Sequence, residues 1–466
     1  MGETQKSPLK NNNIKSSVKQ NKGVYLSSIA FVLFTIFIFL QRWIDLVFKS
    51  TTIQIGLCLI VLALLLLRPR KNRMIILDFN LIDLLWVFAI ILVQVYIIYA
   101  GVNEYNNQFF MYTIGIVFLI LAKVDINKYK YSFLFIKYAS IVCAFATIVH
   151  FLFTDLFHSI IFPLVPHSVQ ARTLELVSLN YYPGIGFAQP AIAAGYMLIG
   201  AGMIFSFWGF RNKFEKRMDV FYLIILLLGI IMVGKRSFIL WGLITALVTY
   251  YTLSPRKRKV GRFAKLTFGI MIMLTLLLVI LNYFASVPFF SRIIETINGL
   301  VQGEDVTSGR TVLYGGAWEL FKDNPIWGIG WEQFAVVTSG WFFERDLSVH
   351  NVYLQLLAEM GLVGFIVIMT PLIYVFYKTF KILKVLIESS SGYDYLWKVG
   401  ITFSFYYQFF FLLYCITENP FYNTIFMLMY FFSISIVSSY LMITKKSKSM
   451  KSSNVEKPGE KYEKAK

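Results

Sequence analysis

Four polar side chains in a largely apolar chain are of types that bind an anion and move a proton. Lys235 and Arg236 are adjacent in VGKRSFILWG, Arg310 lies in SGRTVLYGG, and His350 is followed by Asn351. A guanidinium grips a phosphate through two parallel hydrogen bonds, and an ammonium adds a point charge. A neutral imidazole can accept a proton from a hydroxyl. These residue types indicate a site that binds a phosphate group and activates an alcohol, although Lys235 and Arg236 also fit interfacial anchors to lipid headgroups.

Arg310 is predicted to begin a short helix. Ser308 is a candidate N-cap, and Asn324-Pro325 would end the helix after Asp323. The predicted apolar stripe has five members: Leu313, Tyr314, Ala317, Trp318 and Phe321. Arg310 would project on the same face, where it requires an anionic partner. That partner is either a ligand phosphate or one of three carboxylates in the same loop: Asp305, Glu344 and Asp346.

His350 is predicted to open a long helix. Together with Leu354, Leu357, Gly361 and Gly364 it would form one helix face, on which the two glycines let another helix come close. The positive end of the helix dipole disfavours a charged ring, so the imidazole would be available as a base. Two upstream carboxylates are alternative bases: Glu344 and Asp346.

The elements that must position these residues are membrane-spanning helices. The 466 residues are 57% hydrophobic and 15% charged, with a mean hydropathy of +0.65, whereas soluble domains are roughly half apolar and a quarter charged. The chain is therefore predicted to be an all-α polytopic membrane protein. Apolar runs of spanning length predict about twelve helices, near 24–41, 51–67, 81–100, 109–122, 131–153, 189–210, 219–234, 236–252, 266–284, 352–377, 399–416 and 424–443.

Charge bias orients these helices. Of the 44 Lys and Arg residues, 34 fall in segments on the same side as the N-terminus and nine on the opposite side. The positive-inside rule then places both termini in the cytosol and the four polar residues outside. The net charge of +19 would attract anionic lipid rather than nucleic acid. The predicted regions are a cytosolic tail (1–23), nine helices (24–284), a large, partly helical extracytoplasmic loop (285–351), three helices (352–443) and a disordered basic tail (444–466).

Cysteine usage and motifs narrow the chemistry. The three cysteines lie in apolar runs and are predicted to be small buried hydrophobes: Cys58, Cys143 and Cys415. The histidines show no metal-ligand spacing, so neither a metal nor a cofactor is predicted. The sequence lacks P-loop, dinucleotide-binding and HExxH motifs.

Several short sequence elements follow one another along the chain in a characteristic order. They are Arg236 with Leu240 (R-x-x-x-L), Ser308-Gly309-Arg310 followed by Asn324, Pro325, Gly328 and Gly330 (SGR…NPxxGxG), and His350, Asn351, Gly361 and Gly364 (H-N-x9-G-x-x-G). A weaker element is Gly186-Phe-Ala-Gln-Pro190. In their order and spacing these elements resemble the O-antigen ligase and polymerase superfamily, which includes the Wzy-type polysaccharide polymerases. The resemblance covers roughly residues 186–370.

The resemblance implies a membrane glycosyltransferase of the GT-C class that acts on the extracytoplasmic face of a bacterial cytoplasmic membrane. Its donor would be a saccharide on undecaprenyl diphosphate, and transfer to a glycan acceptor would proceed with inversion and without metal. Arg236 and Arg310 would hold the diphosphate with help from Lys235, and His350 would activate the acceptor hydroxyl. Membrane lipid, a chain-length regulator and a flippase are the implied partners.

Within the family, a polymerase is favoured over a ligase that transfers to lipid A-core or another acceptor, because no separate acceptor-recognition domain is evident. A flippase or other transporter is an alternative from a different class, and it requires charges within the membrane. Lys137 and Asp83 are the clearest such charges. A non-catalytic assembly factor is a further alternative.

Overall fold

A computed structural model describes residues 9–48, 51–67, 79–100, 102–186, 188–253, 309–339, 348–388 and 395–455, together with five single positions between 261 and 302. Every regular element in these ranges is helical. We number the α-helices there in chain order: α1 Leu9–Phe48, α2 Thr51–Leu66, α3 Leu81–Ala100, α4 Val102–Leu121, α5 Lys130–Leu152, α6 Thr154–Ile161, α7 His167–Ser178, α8 Pro190–Phe207, α9 Lys213–Val233, α10 Arg236–Thr252, α11 Arg310–Asp323, α12 Gln333–Val337, α13 Val352–Glu388, α14 Tyr395–Tyr414 and α15 Thr424–Val455.

Helices lie at eleven of the twelve predicted spans, and the ninth, 266–284, falls outside the described residues. Six helical segments there are long and apolar enough to cross a membrane: Leu26–Phe48, Leu81–Tyr99, Ile126–Leu152, Pro190–Phe210, Val352–Glu388 and Thr424–Lys445. Two shorter apolar helices are Thr52–Leu66 and Gln108–Leu121. The all-helical, multi-pass architecture is confirmed, and the count of twelve stays a prediction.

Two helices form the centre of the bundle. The most apolar window of α15 is 89% buried and that of α8 is 83% buried, compared with 39–50% for the other four candidate spans. A helix that is apolar on all sides is typical of a protein core or of a membrane span, and these two helices are enclosed by other helices. α14 packs against both α8 and α15 and also contacts α10 and α13. These inner helices therefore fix the positions of the loops at their ends.

The terminal helices extend into the predicted tails. α1 begins at Leu9, and α15 continues to Val455. The predicted disorder of 444–466 is therefore wrong for 444–455, while 456–466 lie outside the described residues. Lysine is a good helix former, so a helix that starts in the apolar core can continue into a lysine-rich tail.

The charges cited for a transporter are paired. Lys137 Nζ lies 2.5 Å from Asp219 Oδ1, and Asp83 forms a salt bridge with Lys123. Asp83 also accepts hydrogen bonds from the Asn80 backbone and from the Ser438 hydroxyl. Each of these buried charges therefore has the opposite-charge partner that a buried structural ion pair requires.

Candidate active site

Glu418 is the point at which three distant parts of the chain meet. Its Oε2 lies 3.0 Å from Nδ1 of His350, and its Oε1 lies 3.2 Å from Nη2 of Arg310 and 3.6 Å from Nζ of Lys235. The Glu418 side chain is only 12% exposed, whereas the three basic side chains are 27–32% exposed. We call these four residues the Glu418 cluster. The cluster has a mostly buried acid and a solvent-accessible basic rim.

The loop that carries Glu418, residues 415–423 between α14 and α15, is held by three hydrogen bonds to two helices. The bonds run from Val352 N–H to Cys415 O (2.9 Å), from Trp241 Nε1 to Thr417 Oγ1 (2.9 Å) and from Asn419 Nδ2 to Gln355 Oε1 (2.6 Å). The loop is thereby fixed to α10 and α13, which are also next to Lys235 and His350. This arrangement pre-organises the carboxylate among its basic partners.

The electrostatics of the cluster keep Glu418 ionised. Burial raises the pKa of Glu418, but the hydrogen bond from His350 and the charges of Lys235, His350 and Arg310 outweigh burial. The net effect lowers the pKa of Glu418 from 4.5 to about 2. At neutral pH the group at the centre of the cluster is a carboxylate, which accepts hydrogen bonds and cannot donate them.

His350 lies just before α13 and not in its first turn, contrary to the prediction. Its φ is 56°, in the left-handed region that histidine adopts more readily than most residues. Asn351 caps the helix instead, because its Oδ1 accepts the backbone N–H groups of Tyr353 (3.0 Å) and Leu354 (3.2 Å). The hydrogen bonding of the ring is therefore decided by Glu418 and not by the helix terminus.

The contact with Glu418 also assigns the histidine tautomer. A carboxylate only accepts, so Nδ1 of His350 carries the proton shared over 3.0 Å. In a neutral ring, Nε2 then presents the lone pair. The ring is 32% exposed, which leaves it accessible to a ligand. The pair formed by His350 and Glu418 therefore has the geometry of a general base that is held in orientation by a carboxylate.

Arg310 has a carboxylate partner that was not among the predicted ones. Besides Glu418, its Nη1 donates to the carbonyl oxygen of Thr417 at 2.6 Å. α11 spans the predicted residues, but its N-cap is Gly309, with a φ of 79°. The predicted cap and the predicted carboxylate partners all lie outside the described residues: Ser308, Asp305, Glu344 and Asp346.

The buried face of α11 also differs from the predicted stripe. Its buried residues are Leu313, Gly316, Ala317 and Leu320, whereas Trp318 is 48% exposed. The buried positions follow a spacing of three and four residues, and the helix packs them against α13. The packed face therefore lies about a quarter turn away from the predicted one.

The sharp turn between α9 and α10 carries Lys235 and Arg236. Of these two residues, Lys235 contacts Glu418. Lys235 immediately precedes α10 and reaches Glu418. Arg236 is the first residue of α10 and is exposed. Leu240, one turn later, is 51% exposed. The structure thus brings Lys235, predicted as the weaker helper, into the cluster, and places Arg236 beside it in the chain.

The NPxxGxG element and the GxxG element form one joint, made of residues 324–330 and a break in α13 at Gly361. The break appears as φ 61° and ψ −167° at Gly361. Four backbone hydrogen bonds close the joint: Ile329 N–H to Ala358 O (3.0 Å), Gly330 N–H to Glu359 O (2.8 Å), Leu362 N–H to Pro325 O (2.8 Å) and Val363 N–H to Ile326 O (3.3 Å). The inserted loop supplies partners for the backbone groups that the broken helix leaves unpaired.

At the joint, the glycines leave room for the backbone of a neighbouring segment rather than for another helix. The predicted helix face, on which two glycines let another helix come close, is therefore wrong. A Cβ on Gly361 would contact the Ile326 carbonyl and come within 2.6 Å of Trp327 N. A Cβ on Gly328 would come within 2.5 Å of the Glu359 carbonyl oxygen. Gly364 faces the side chain of Met360 in its own helix. The joint ties α11 to α13 and so fixes Arg310 relative to His350.

A second buried carboxylate, Glu359, stabilises the same region. It is 0% exposed, and its carboxylate accepts four hydrogen bonds. The donors are Glu332 N–H (3.0 Å), Phe334 N–H (3.3 Å), Gln355 Nε2 (2.9 Å) and Tyr422 Oη (2.7 Å). Both Gln355 and Tyr422 connect to the loop 415–423, so Glu359 links the joint to the Glu418 cluster.

Comparison with known proteins finds a match in the part of the chain that carries most of the cluster. A family model described as O-antigen ligase matches residues 221–369. This segment contains Lys235, Arg236, Arg310, His350 and the joint, whereas Glu418 and the weaker element at 186–190 lie outside it. No curated protein matches the chain. The family match confirms, over residues 221–369, the resemblance of this membrane protein to the O-antigen ligase and polymerase superfamily.

Proposed function

We propose that the Glu418 cluster transfers a saccharide from undecaprenyl diphosphate to a hydroxyl of an acceptor glycan, and that the product is a lengthened polysaccharide. The observation that carries the proposal is the convergence of His350, Arg310 and Lys235 on one ionised carboxylate. The cluster combines an oriented base with an open set of cations. The match to the O-antigen ligase family supports glycosyl transfer as the reaction.

In the proposed reaction, the acceptor oxygen attacks the anomeric carbon that bears the diphosphate. The new C–O bond forms as the C–O bond to the diphosphate breaks, and attack from the opposite face inverts the anomeric centre. Nε2 of His350 takes the hydroxyl proton, and Glu418 stabilises the resulting imidazolium through Nδ1–H. Glu418 itself stays unprotonated throughout the reaction, as the carboxylate does in other carboxylate–histidine pairs.

The leaving diphosphate gains negative charge, and cations fixed beside it stabilise the transition state more than the ground state. Glu418 neutralises only part of the charge of Lys235 and Arg310, and exposed Arg236 adds a further cation. Arg310 uses two nitrogen atoms on Glu418 and Thr417, and a guanidinium has five N–H donors in all. These cations supply the charge that a divalent metal provides in other transferases, so the proposed reaction needs no metal.

We place this reaction on the outer face of the cytoplasmic membrane, with both termini in the cytosol. The excess of Lys and Arg in the predicted cytosolic segments supports this orientation. A donor carried on a polyprenyl lipid would reach the cluster from the bilayer, past the exposed apolar side of α10 near Leu240. A flippase and a chain-length regulator remain the proposed protein partners.

A single-substrate reaction tests polymerisation. The purified protein is incubated with one lipid-linked saccharide unit and no other acceptor, and the products are separated by size. A polymerase yields a ladder of products with release of undecaprenyl diphosphate. No ladder until lipid A-core or another acceptor is added would show a ligase, and uptake of the lipid-linked unit across liposomes by a His350→Ala protein would show a transporter.

A further inference from the structure

A separate polar cavity of about 280 Å³ shares the loop 415–423 with the Glu418 cluster. Its walls come from the end of α1, from α4, from the residue before α8 and from the residue before α12. The polar wall residues are Gln41, Arg42, Asp45, Gln108, Gln189, Glu332, Asn423 and Thr424. Tyr422, four residues after Glu418, also lines the cavity. The volume is near the lower end of small-molecule sites, about 300–1,000 Å³.

The charges of the cavity differ in sign from those of the Glu418 cluster. Arg42 Nη1 lies 3.1 Å from Asp45 Oδ2, so this cation is already balanced. Glu332 adds a further carboxylate, and the rest of the polar wall consists of amide and hydroxyl groups. A diphosphate would be repelled here, whereas neutral hydroxyl groups would find both donors and acceptors. The two sites are therefore suited to different parts of a glycolipid.

Two polar atoms of the cavity wall have no hydrogen-bond partner within the described part of the chain: Gln41 Oε1 and Arg42 Nε. Gln41 is only 3% exposed, and its Nε2 donates to Thr424 Oγ1 at 2.9 Å. A buried polar atom without a partner costs about 1–3 kcal/mol, so a ligand that supplies the partner is favoured. A sugar hydroxyl can donate to the amide oxygen and accept from the guanidinium.

Glu332 has a strained backbone, with φ 52° at the residue before α12. Its backbone N–H donates to Glu359, and its Oε1 accepts from Gln108 Nε2 at 2.5 Å. Burial raises the pKa of Glu332, and the bond from Gln108 opposes this. Such strain persists only where surrounding contacts impose it, and it is concentrated at binding sites. Here the contacts hold the carboxylate at the wall of the cavity.

We infer that this cavity binds a sugar unit of the glycolipid donor or of the acceptor while the Glu418 cluster binds the diphosphate. The inference rests on the proposed function. A hydrogen-bonded series links the two sites: Asn419, next to Glu418, donates to Gln355, which donates to Glu359, which accepts from Tyr422 at the cavity wall. Through this series, the position of a bound sugar is fixed relative to the base.

Native mass spectrometry of the full-length protein in detergent tests the inference with two probes. One is the lipid-linked saccharide extracted from cells in which His350→Ala replaces the natural residue, and the other is bare undecaprenyl diphosphate. The test variants are Gln189→Leu, which removes an amide from the wall, and Glu332→Gln, which removes charge but can still accept from Gln108. The matched control is Glu319→Gln, at an exposed position of α11. Size-exclusion profiles and melting temperatures check that each variant folds.

Both test variants are expected to bind the saccharide-bearing lipid about 10-fold more weakly, as expected for one or two lost hydrogen bonds to sugar, and to bind the bare lipid like the natural protein. Unchanged binding of the saccharide-bearing lipid would overturn the inference, and so would an equal loss for both probes. Arg310→Ala provides the separate check on the proposed function: it should weaken both probes, and an unchanged affinity for the bare lipid would overturn diphosphate binding by the cluster without affecting the cavity result.

A third probe, the same saccharide on an octyl chain without phosphate, identifies which sugar occupies the cavity. This molecule can act only as an acceptor. Weaker binding of the octyl saccharide to Glu332→Gln assigns the cavity to the acceptor. Unchanged binding of the octyl saccharide, together with weaker binding of the diphosphate-linked one, assigns it to the donor.

Discussion

At the scale of residues, Glu418 has two roles that depend on its charge. It fixes the Nδ1 proton of His350, and it holds Lys235 and Arg310 close together despite their mutual repulsion. A neutral side chain of the same shape would retain an acceptor oxygen but would not stabilise an imidazolium. An amide substitution therefore tests how much of the activity depends on the charge of Glu418.

Glu418→Gln is expected to lower kcat by up to about 10⁴-fold, because neutralising the carboxylate partner of a catalytic histidine in a serine protease costs about that much. The measurement is turnover of the lipid-linked saccharide with expression and folding matched. Glu319→Gln is the control with the same charge change. Turnover of Glu418→Gln within twofold of the natural protein would show that the carboxylate only packs the loop.

The stability of the folded protein at acid pH should depend on the charge of Glu418. The pKa of Glu418 is about 2 in the folded protein and 4.5 in the unfolded chain, so the unfolded chain binds more protons between these values. The stabilisation is complete above pH 4.5 and is lost as pH falls towards 2. The melting temperature of the natural protein should therefore fall more than that of Glu418→Gln between pH 5 and pH 3. Parallel curves would contradict the lowered pKa.

His350→Ala is expected to reduce turnover by about 10²-fold or more with little change in donor affinity, because the lost interaction belongs to the transition state. His350→Gln should not restore activity, since an amide keeps hydrogen bonds but is not basic. Turnover and donor affinity of both variants are measured between pH 5 and pH 8. A Gln variant with natural activity would leave His350 only an orienting role and would direct the search for a base to Glu344 and Asp346.

At the scale of elements, the joint between 324–330 and α13 explains why two glycine motifs occur far apart in the chain. Each motif supplies half of the same set of backbone hydrogen bonds. The joint fixes α11 against α13, and with them the relative positions of Arg310 and His350. A side chain at the break should therefore alter both stability and activity, although it lies away from the reacting groups.

Gly361→Ala is expected to lower the melting temperature by several degrees and to reduce turnover, because its φ of 61° disfavours a Cβ and the Cβ would contact the Ile326 carbonyl. Gly315→Ala is the control: a Cβ there meets nothing within 4 Å, and alanine favours a helix by up to about 1 kcal/mol. Melting temperature and turnover are compared for the two variants. Natural behaviour of Gly361→Ala would show that the joint adapts.

At the scale of the whole molecule, a few inner helices support the loop that the Glu418 cluster and the cavity share. α14 and α15 carry the loop 415–423 at their junction, and α8 packs against α14. The Glu418 cluster and the sugar cavity both border that loop, so they are predicted to lie on the same side of the membrane. The proposed reaction requires that side to be the outer one.

Cysteine labelling checks this orientation. His350→Cys in a chain without Cys58, Cys143 and Cys415, all of which are buried, should react with a membrane-impermeant maleimide added to intact cells. A cysteine in the 1–23 tail should react only after the cells are opened. Labelling of position 350 from the cytosol alone would refute the outward orientation and with it the proposed donor.

The sequence alone determined the helical membrane architecture and the bounds of α11, and it singled out Arg310 and His350 as candidate site residues. Those features depend on local composition, on capping residues and on motif spacing, which are readable over a few turns. Only the tertiary structure showed Glu418, which lies 68 residues from His350 and 108 from Arg310, and the cavity, whose wall comes from helix ends throughout the chain. Such pairings leave no local periodicity, because a loop carboxylate acquires its partners only when the inner helices bring the loops together. The only signal was an acidic residue in a predicted outer loop, two positions before Pro420.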